Sequence, residues 1–183
     1  RRLTVDAAPM NALATLVAAA ASLLAITQAT PAEAAPAPSD VSAAITKAGR
    51  FLVENCGRHG GYVWGYSRDL KLTEGEAETT ADQIWVQPPG TPAVGLALLD
   101  AFEATGDPFF LDAAKATAHA LVKGQRRSGG WFYSVEFDPE KPKTIGYRDN
   151  AAYREKKGKD FNNKTTLDDD TTTGALRFLM RVD

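Results

Sequence analysis

The sequence predicts a mainly α-helical protein, built from stacked antiparallel helical hairpins with short β segments in the loops between them. Two helix starts combine a capping residue with proline, at Thr91-Pro92 and Asp107-Pro108, and proline at the first helical position is typical of helix N-termini. Two loops also share a Gly-Gly-aromatic sequence, Gly60-Gly61-Tyr62 and Gly129-Gly130-Trp131. Repeated hairpins bury their faces against their neighbours, so the expected architecture is an incomplete α/α toroid.

Four helices are predicted from apolar residues at helical spacing and from start and stop signals. Asp40 is expected to cap the first helix, and Gly57 is expected to end it. Gly106 should close the second helix. Since only Asp107 then separates it from the third, these two helices are expected to form an antiparallel hairpin. The predicted helices cover about 41–54, 91–104, 108–123 and 171–182.

The internal repeat has two offsets. One shift of the sequence along itself places Gly60 over Gly129, and a longer shift places Thr91 over Thr171. Each unit is therefore expected to contain an inner helix, a tight turn, an outer helix and a Gly-Gly-aromatic loop. The alternating sequence from Trp131 to Phe137 also predicts a short strand, and the sequence that follows Gly61 is similar.

Charge and composition narrow the class of protein. The 183 residues carry 21 Lys and Arg against 23 Asp and Glu, for a net charge of −2. This balance lacks the basic excess that binding to nucleic-acid phosphates requires. One cysteine and two histidines exclude an internal disulfide and a cysteine-rich zinc site. Nucleic acid is therefore not an expected partner, no protein partner is indicated, and any metal must be held by oxygen atoms.

The beginning of the chain indicates export. Residues 12–29 are nearly free of charge and lead to an A-x-A site at Ala32-Glu33-Ala34. This pattern predicts a signal peptide over residues 1–34, followed by an Ala/Pro-rich linker over residues 35–39. We expect a secreted or periplasmic protein without stable membrane insertion once the signal is removed. A retained transmembrane helix is the alternative.

The other end of the chain indicates truncation. The helix that begins at Thr171 reaches Asp183 without a glycine or proline that would end it. Residues 40–183 are therefore predicted to be the N-terminal part of a toroid domain that is cut off at its C-terminus.

The loops between the helices contain the candidate substrate contacts. Aromatic rings offer flat apolar faces to sugar rings, and arginine side chains can pair with sugar carboxylates. The alternative is that the aromatic residues only wedge neighbouring hairpins together. The candidate substrate-binding residues are Trp64, Arg68, Trp131, Tyr133 and Arg148.

A run of three carboxylates lies at the predicted start of the last helix, where one carboxylate is sufficient as a cap. Adjacent carboxylates repel each other unless a cation neutralises them, and calcium prefers sites made of oxygen atoms. Asp168 and Asp169 are therefore the candidate calcium ligands, and Asp170 is the candidate cap. The alternative is a solvated helix start with surplus charge. Because the spacing of an EF-hand is absent, an ion would need further ligands from other loops.

Four segments together resemble the helical-toroid pectate lyases of the pectic acid lyase family. These are residues 90–95, 104–107, 124–131 and 166–179, and the resemblance covers about residues 41–183. It implies a secreted enzyme that cleaves polygalacturonate by β-elimination, with calcium bound between the protein and the substrate carboxylates.

The resemblance has two departures and one missing part. Asp168 matches an aspartate of the family, whereas Asp169 stands where asparagine is usual. The Gly-Gly-Trp loop continues with Phe132-Tyr133, where the family normally has Pro-Lys. The catalytic base of the family is an arginine far downstream, so the base is expected beyond Asp183. The chain by itself is therefore expected to lack lyase activity.

Two other classes of protein fit part of the pattern. Gln125, Gly129 and Trp131 match a Q-x-x-x-G-x-W motif that resembles the loop repeats of terpenoid cyclases, which share the toroid. Those enzymes protonate their substrate with an Asp-x-Asp-Asp-Thr motif, and Leu167 stands where its first aspartate is required. The other alternative is a secreted carbohydrate-binding or scaffold toroid that has the loops without catalysis.

Overall fold

Helices dominate the described part of the chain, and the strands between them are short and antiparallel. The structure is a computed structural model that describes residues 35–138 and 164–183. From Ala37 onward these residues belong to one unit. The predicted signal peptide and Arg148 lie outside the described residues.

The first helix, α1, extends from Pro38 to Phe51 and is continued by a π-helical turn, Leu52–Cys56. It begins two residues before the predicted cap, Asp40, and therefore inside the segment predicted as a linker. The reason is that Pro38 occupies the first turn, where its missing N–H group costs nothing. Gly57 ends the helical segment in an extended conformation.

Helices α2 (Thr91–Thr105) and α3 (Pro108–Gly124) form the predicted hairpin. Gly106 closes α2 with a φ of 70°, a left-handed conformation that favours glycine. The side chain of Asp107 caps α3 by accepting a hydrogen bond from the backbone N–H of Phe109 at 3.0 Å. Helix α3 therefore begins, and helix α2 ends, as the capping signals predict. At the start of α2, the N-cap is Gly90 rather than the predicted Thr91, which is already the first residue of the helix.

The last helix, α4 (Thr171–Val182), follows a single turn of 3₁₀-helix, Asp168–Asp170. We call these three residues the acidic turn. Asp169 and Asp170 have φ values of 49° and 57°, a left-handed conformation that aspartate tolerates better than most residues.

Two small sheets connect the helical segments. Strand β1 (Gly65–Tyr66) pairs with β2 (Thr73–Glu74), and β3 (Gln83–Trp85) pairs with β4 (Ser134–Glu136). Strand β4 lies inside the predicted strand, whereas β2 and β3 are additional to the predicted elements. Because β3 runs directly into the loop before α2, it fixes the position of that loop.

The core lies between α2, α3, α4 and the β3–β4 sheet. Gly95 of α2 is in close contact with Phe178 of α4, because a Cβ atom at Gly95 would lie 2.5 Å from the ring. The absence of a side chain therefore allows these two helices to pack closely. The largest fully buried side chains include Trp131, Phe110, Phe178, Ile84 and Leu121. In the described ranges, no helix is both long and apolar enough to cross a bilayer.

Candidate functional site

A single hydroxyl fastens the first Gly-Gly-aromatic loop to the start of α2. Thr91 Oγ1 accepts a hydrogen bond from the backbone N–H of Tyr62 at 3.0 Å and donates one to the carbonyl of the same residue at 3.0 Å. That carbonyl also accepts the N–H of Trp85 at 2.8 Å. We call this arrangement the Tyr62 brace. It is buried, so each of its polar groups depends on the others for hydrogen bonds.

The second Gly-Gly-aromatic loop is fastened to the start of α4 in the same way. Thr172 Oγ1 accepts the N–H of Trp131 at 3.1 Å and donates to its carbonyl at 3.4 Å. The carbonyl also accepts the N–H of Thr166 at 2.8 Å. This Trp131 brace repeats the Tyr62 brace bond for bond, which supports the internal repeat.

The repeat has a one-residue step at the start of the second unit. In the hydrogen bonds of the braces, Trp85 corresponds to Thr166, and Thr91 corresponds to Thr172. The offset between the braces is therefore one residue longer than the predicted offset, which matches Thr91 with Thr171. The buried helix faces instead keep the predicted offset, which places Phe178 at the position of Leu98. Thr172 is therefore the counterpart of Thr91 in the brace, whereas Thr171 matches Thr91 as the first residue of the helix.

Trp131 has a structural position. Its side chain is 1% exposed, and its Nε1–H donates to the carbonyl of Leu121 at 2.8 Å. Gln125 closes the same loop by donating to the carbonyl of Gly129 at 2.7 Å. Because the ring of Trp131 is enclosed by protein, it offers no face to a sugar. The wedge interpretation describes this residue and Tyr62 better than substrate binding does.

The turn before each inner helix also repeats. The N–H of Gly90 donates to the carbonyl of Gln87 at 3.0 Å, and the N–H of Thr171 donates to the carbonyl of Asp168. The two hydrogen bonds span the same number of residues and are related by the offset of the braces. Residues 87–90, which we call the proline turn, therefore correspond to residues 168–171, and Gln87 occupies the position of Asp168.

Two side chains from other loops orient the carboxylates of the acidic turn. Tyr133 donates its hydroxyl to Asp168 Oδ2 at 3.0 Å, and Gln87 donates Nε2–H to Asp169 Oδ2 at 2.8 Å. Within the turn, the N–H of Asp169 donates to Asp168 Oδ1 at 3.1 Å. In residues 35–138 and 164–183, the second carboxylate oxygen of Asp169 accepts no hydrogen bond. The two carboxylates are therefore held in place while keeping capacity for a ligand.

Gln87 is a functional candidate that the sequence analysis missed. It is 5% exposed, and its Oε1 accepts the Nε1–H of Trp85 at 3.2 Å. Its carbonyl accepts the Nε1–H of Trp64 at 2.9 Å, and the two indole rings lie 5.5 Å apart. The available signal was its place directly before Pro88-Pro89, at the start of the repeated helix.

Hydrogen bonding changes the proton affinity of two groups here. The carboxylate of Asp168 accepts a hydrogen bond from the hydroxyl of Tyr133, and this raises the pKa of the tyrosine. The negative charge of Asp169 raises the same pKa further. Tyr133 therefore stays a hydrogen-bond donor over the physiological range. The pKa of Asp170 is lowered by its hydrogen bond from Thr173 and by Arg177.

Asp170 differs from its two neighbours. It occupies the N-cap position of α4, as predicted, but its side chain accepts no backbone N–H. Its carboxylate instead accepts the hydroxyl of Thr173 at 2.7 Å and Nη1–H of Arg177 at 2.9 Å. Both partners belong to α4, so the carboxylate of Asp170 stabilises the start of this helix.

The remaining predicted substrate contacts lie apart from the acidic turn or outside the described residues. Trp64 is half-buried and bonds to the proline turn, and Arg68 is exposed in the loop that joins β1 to β2. Arg148 falls in the segment that the structure does not describe. The structure thus brings Tyr133, Asp168 and Asp169 together. Trp64 is connected to them only through Gln87, which contacts both Trp64 and Asp169.

The acidic turn by itself does not form a complete calcium site. In the described ranges, no group of three or more His, Cys, Asp or Glu side chains could hold a metal ion, whereas calcium takes six to eight oxygen ligands. Two buried hydroxyl oxygens next to the turn, Thr166 Oγ1 and Thr171 Oγ1, have no hydrogen-bond partner in this part of the chain. A calcium ion at the turn would therefore need oxygen ligands in addition to those of Asp168 and Asp169.

A separate cavity of about 410 Å³ lies against the β1–β2 sheet. It is lined in part by Tyr66, Thr73, Glu74 and Glu78, and it contains no residue of the acidic turn. The acidic turn is the better candidate for ligand binding, because side chains from separate loops converge on its carboxylates.

Comparisons with protein-family models, with curated proteins and with solved structures found no match for this chain.

Proposed function

We propose that this protein is a pectate lyase-like polysaccharide lyase that cleaves polygalacturonate by calcium-assisted β-elimination, and that the acidic turn lies in its substrate cleft. One observation carries the proposal. Asp168 and Asp169 each accept a hydrogen bond from a different loop, through Tyr133 and Gln87. A helix start with surplus charge does not require two separate loops to orient its carboxylates.

The repeated braces support the α/α toroid in this proposal. Each fastens an aromatic loop to the first turn of an inner helix, and the two inner helices contact each other through Gly95 and Phe178. Units joined in this way stack with their inner-helix starts at the same end. The proline turn and the acidic turn would then line one mouth of the ring, where a polymer can bind.

The chemistry follows from the charges at the turn. Asp168 and Asp169 would hold calcium together with carboxylates of the substrate, and Tyr133 keeps Asp168 oriented. A calcium ion held there would supply positive charge to the uronate carboxylate, and the neighbouring C–H group would then be easier to deprotonate. No described residue is assigned as the base.

Substrate contacts around the turn are assigned by exposure and charge. Tyr133 lies beside the carboxylates, and the half-buried ring of Trp64 adjoins the proline turn. Arg68, which is exposed, would pair with a uronate carboxylate farther along the polymer. Arg148 is proposed as a contact from its charge alone, because it lies outside the described residues. A chain with a net charge of −2 needs such local cations to hold a polyanion.

A secreted carbohydrate-binding or scaffold toroid remains the second candidate. It would need no calcium site made by the protein alone, and in the described part of the chain no group of three or more His, Cys, Asp or Glu side chains could hold a metal ion. Such a protein would bind oligogalacturonate through the same turn without cleaving it.

The test compares alanine variants of the three aspartates in the full-length protein. Calcium-dependent formation of unsaturated uronate from polygalacturonate is measured for Asp168→Ala, Asp169→Ala and the matched control Asp170→Ala. We expect losses of about 10–100-fold for the first two. Asp170→Ala should retain turnover, because its carboxylate already pairs with Arg177.

Binding of oligogalacturonate by calorimetry separates the candidates. Calcium-dependent binding with product formation supports the lyase, and binding without product supports the scaffold. If the wild type neither binds nor cleaves, or if all three variants behave alike at a temperature where they are folded, the acidic turn is only a helix start.

A further inference from the structure

The geometry assigns to Gln87 the role of a positioning residue that holds Asp169 ready for its ligand; this assignment rests on the proposed function. Gln87 touches no reacting atom in the proposal. It acts through Asp169, to which its Nε2–H donates at 2.8 Å.

The orientation of the Gln87 amide is fixed from behind. An indole N–H can only donate, so the atom of Gln87 that faces Trp85 Nε1 at 3.2 Å must be the carbonyl oxygen. The amide nitrogen then points to Asp169 and can only donate to it. Because Gln87 is buried, it cannot exchange these partners for water. Asp169 is therefore supplied with a donor of defined direction.

The backbone of Asp169 gives this donor a further purpose. Because the backbone of Asp169 is left-handed, its carboxylate points in a different direction from a side chain at an ordinary helix start. One oxygen is held by Gln87, which leaves the other with a defined direction. A side chain that is already oriented loses less entropy when it binds an ion or a sugar.

The repeat explains why a residue of the first unit serves the second. Gln87 occupies the turn position that Asp168 occupies one unit later, since their carbonyls accept the N–H groups of Gly90 and Thr171. Consecutive units thus present polar side chains from the same turn position, just before the threonine of each brace. Gln87 is the first unit's contribution to the cleft.

The test replaces Gln87 with methionine, which has nearly the same shape but no amide group. Gln83→Met is the matched control, because Gln83 is also buried but bonds to Ser134 in the β3–β4 sheet. Terbium is used as the calcium probe, with luminescence excited through the tryptophans, and calcium is titrated in competition. We expect Gln87→Met to weaken the binding of both ions about 10–100-fold and Gln83→Met to leave it unchanged.

A second measurement tests the hydrogen bond between Gln87 and Asp169 without an ion. In the apo protein, Asp169→Ala should shift the NMR signals of the Gln87 side-chain amide and speed the exchange of its bound proton. If wild-type binding is found but Gln87→Met binds as tightly, the positioning role is wrong while the proposed function stands. If the wild type binds no ion, the proposed function fails, and an unchanged Gln87 amide in Asp169→Ala overturns the positioning role as well.

Discussion

The Tyr62 brace and the Trp131 brace have the same hydrogen bonds, but the turns beside them have different chemistry. In the first unit, residues 87–90 read Gln-Pro-Pro-Gly, and in the second, residues 168–171 read Asp-Asp-Asp-Thr. The first turn contains two prolines, Pro88 and Pro89, joined by a cis peptide bond. The second contains three carboxylates, and two of them, Asp169 and Asp170, have a left-handed backbone.

The difference separates what the repeat needs from what a ligand needs. Both units keep a buried aromatic residue and a threonine hydroxyl, because the backbone groups of a buried loop must find hydrogen-bond partners. The side chains of the turns take no part in the brace hydrogen bonds and are therefore free to differ. We infer that the braces build the scaffold and that the turns set the chemistry of the cleft.

The largest expected effect on stability comes from removing the threonine hydroxyl of each brace. Thr91→Val and Thr172→Val should each lower the free energy of unfolding by about 1–3 kcal/mol, because each leaves a buried backbone N–H without its acceptor. Chemical denaturation measures both, and similar losses are expected because the two braces are equivalent.

Thr173→Val is the control for these variants. Its hydroxyl bonds to the exposed carboxylate of Asp170, so the expected change is within about 0.5 kcal/mol. A loss at Thr173 as large as that at Thr172 would show that the braces have no special weight.

A second pair of variants compares the two glycines of the inner helices. A Cβ atom at Gly95 would lie 2.5–2.7 Å from ring atoms of Phe178, whereas one at Gly174 would meet Pro88 and Pro92 only at 3.8–4.0 Å. Gly95→Ala should therefore cost about 1–3 kcal/mol from overpacking, more than the helix propensity of alanine returns. Gly174→Ala should instead gain about 0.5–1 kcal/mol.

Thermal unfolding of the two glycine variants provides the measurement. Melting temperatures that move in opposite directions support the close contact between α2 and α4. Equal shifts of the same sign would indicate that Gly95 is not at the point of closest approach.

Much of the helical framework was predictable because its signals are local. The start of α3 at Asp107-Pro108 and the end of α2 at Gly106 follow from side chains that act on their own backbone. The predicted strand was confirmed at β4. Its partner β3 was missed, because strand pairing joins Ile84 to Val135, which are far apart in the sequence.

The candidate site was predictable only in part. The surplus of carboxylates predicts Asp168 and Asp169 as candidates, but the side chains that donate hydrogen bonds to them lie 35 and 82 residues away in sequence. Exposure could not be judged either. Trp131 follows two glycines in a loop sequence. In the structure, its backbone bonds to Thr172 in the brace, and its side chain is buried in the core.

The most direct test of the account is an NMR titration of the isotopically labelled protein with calcium and trigalacturonate. If the turns set the chemistry of the cleft, the largest shift changes should occur at Gln87, Tyr133, Asp168 and Asp169, and only when both ligands are present. The braces and the Asp170–Arg177 pair should change little. Changes confined to the cavity at Glu74, or no changes at all, would contradict the account.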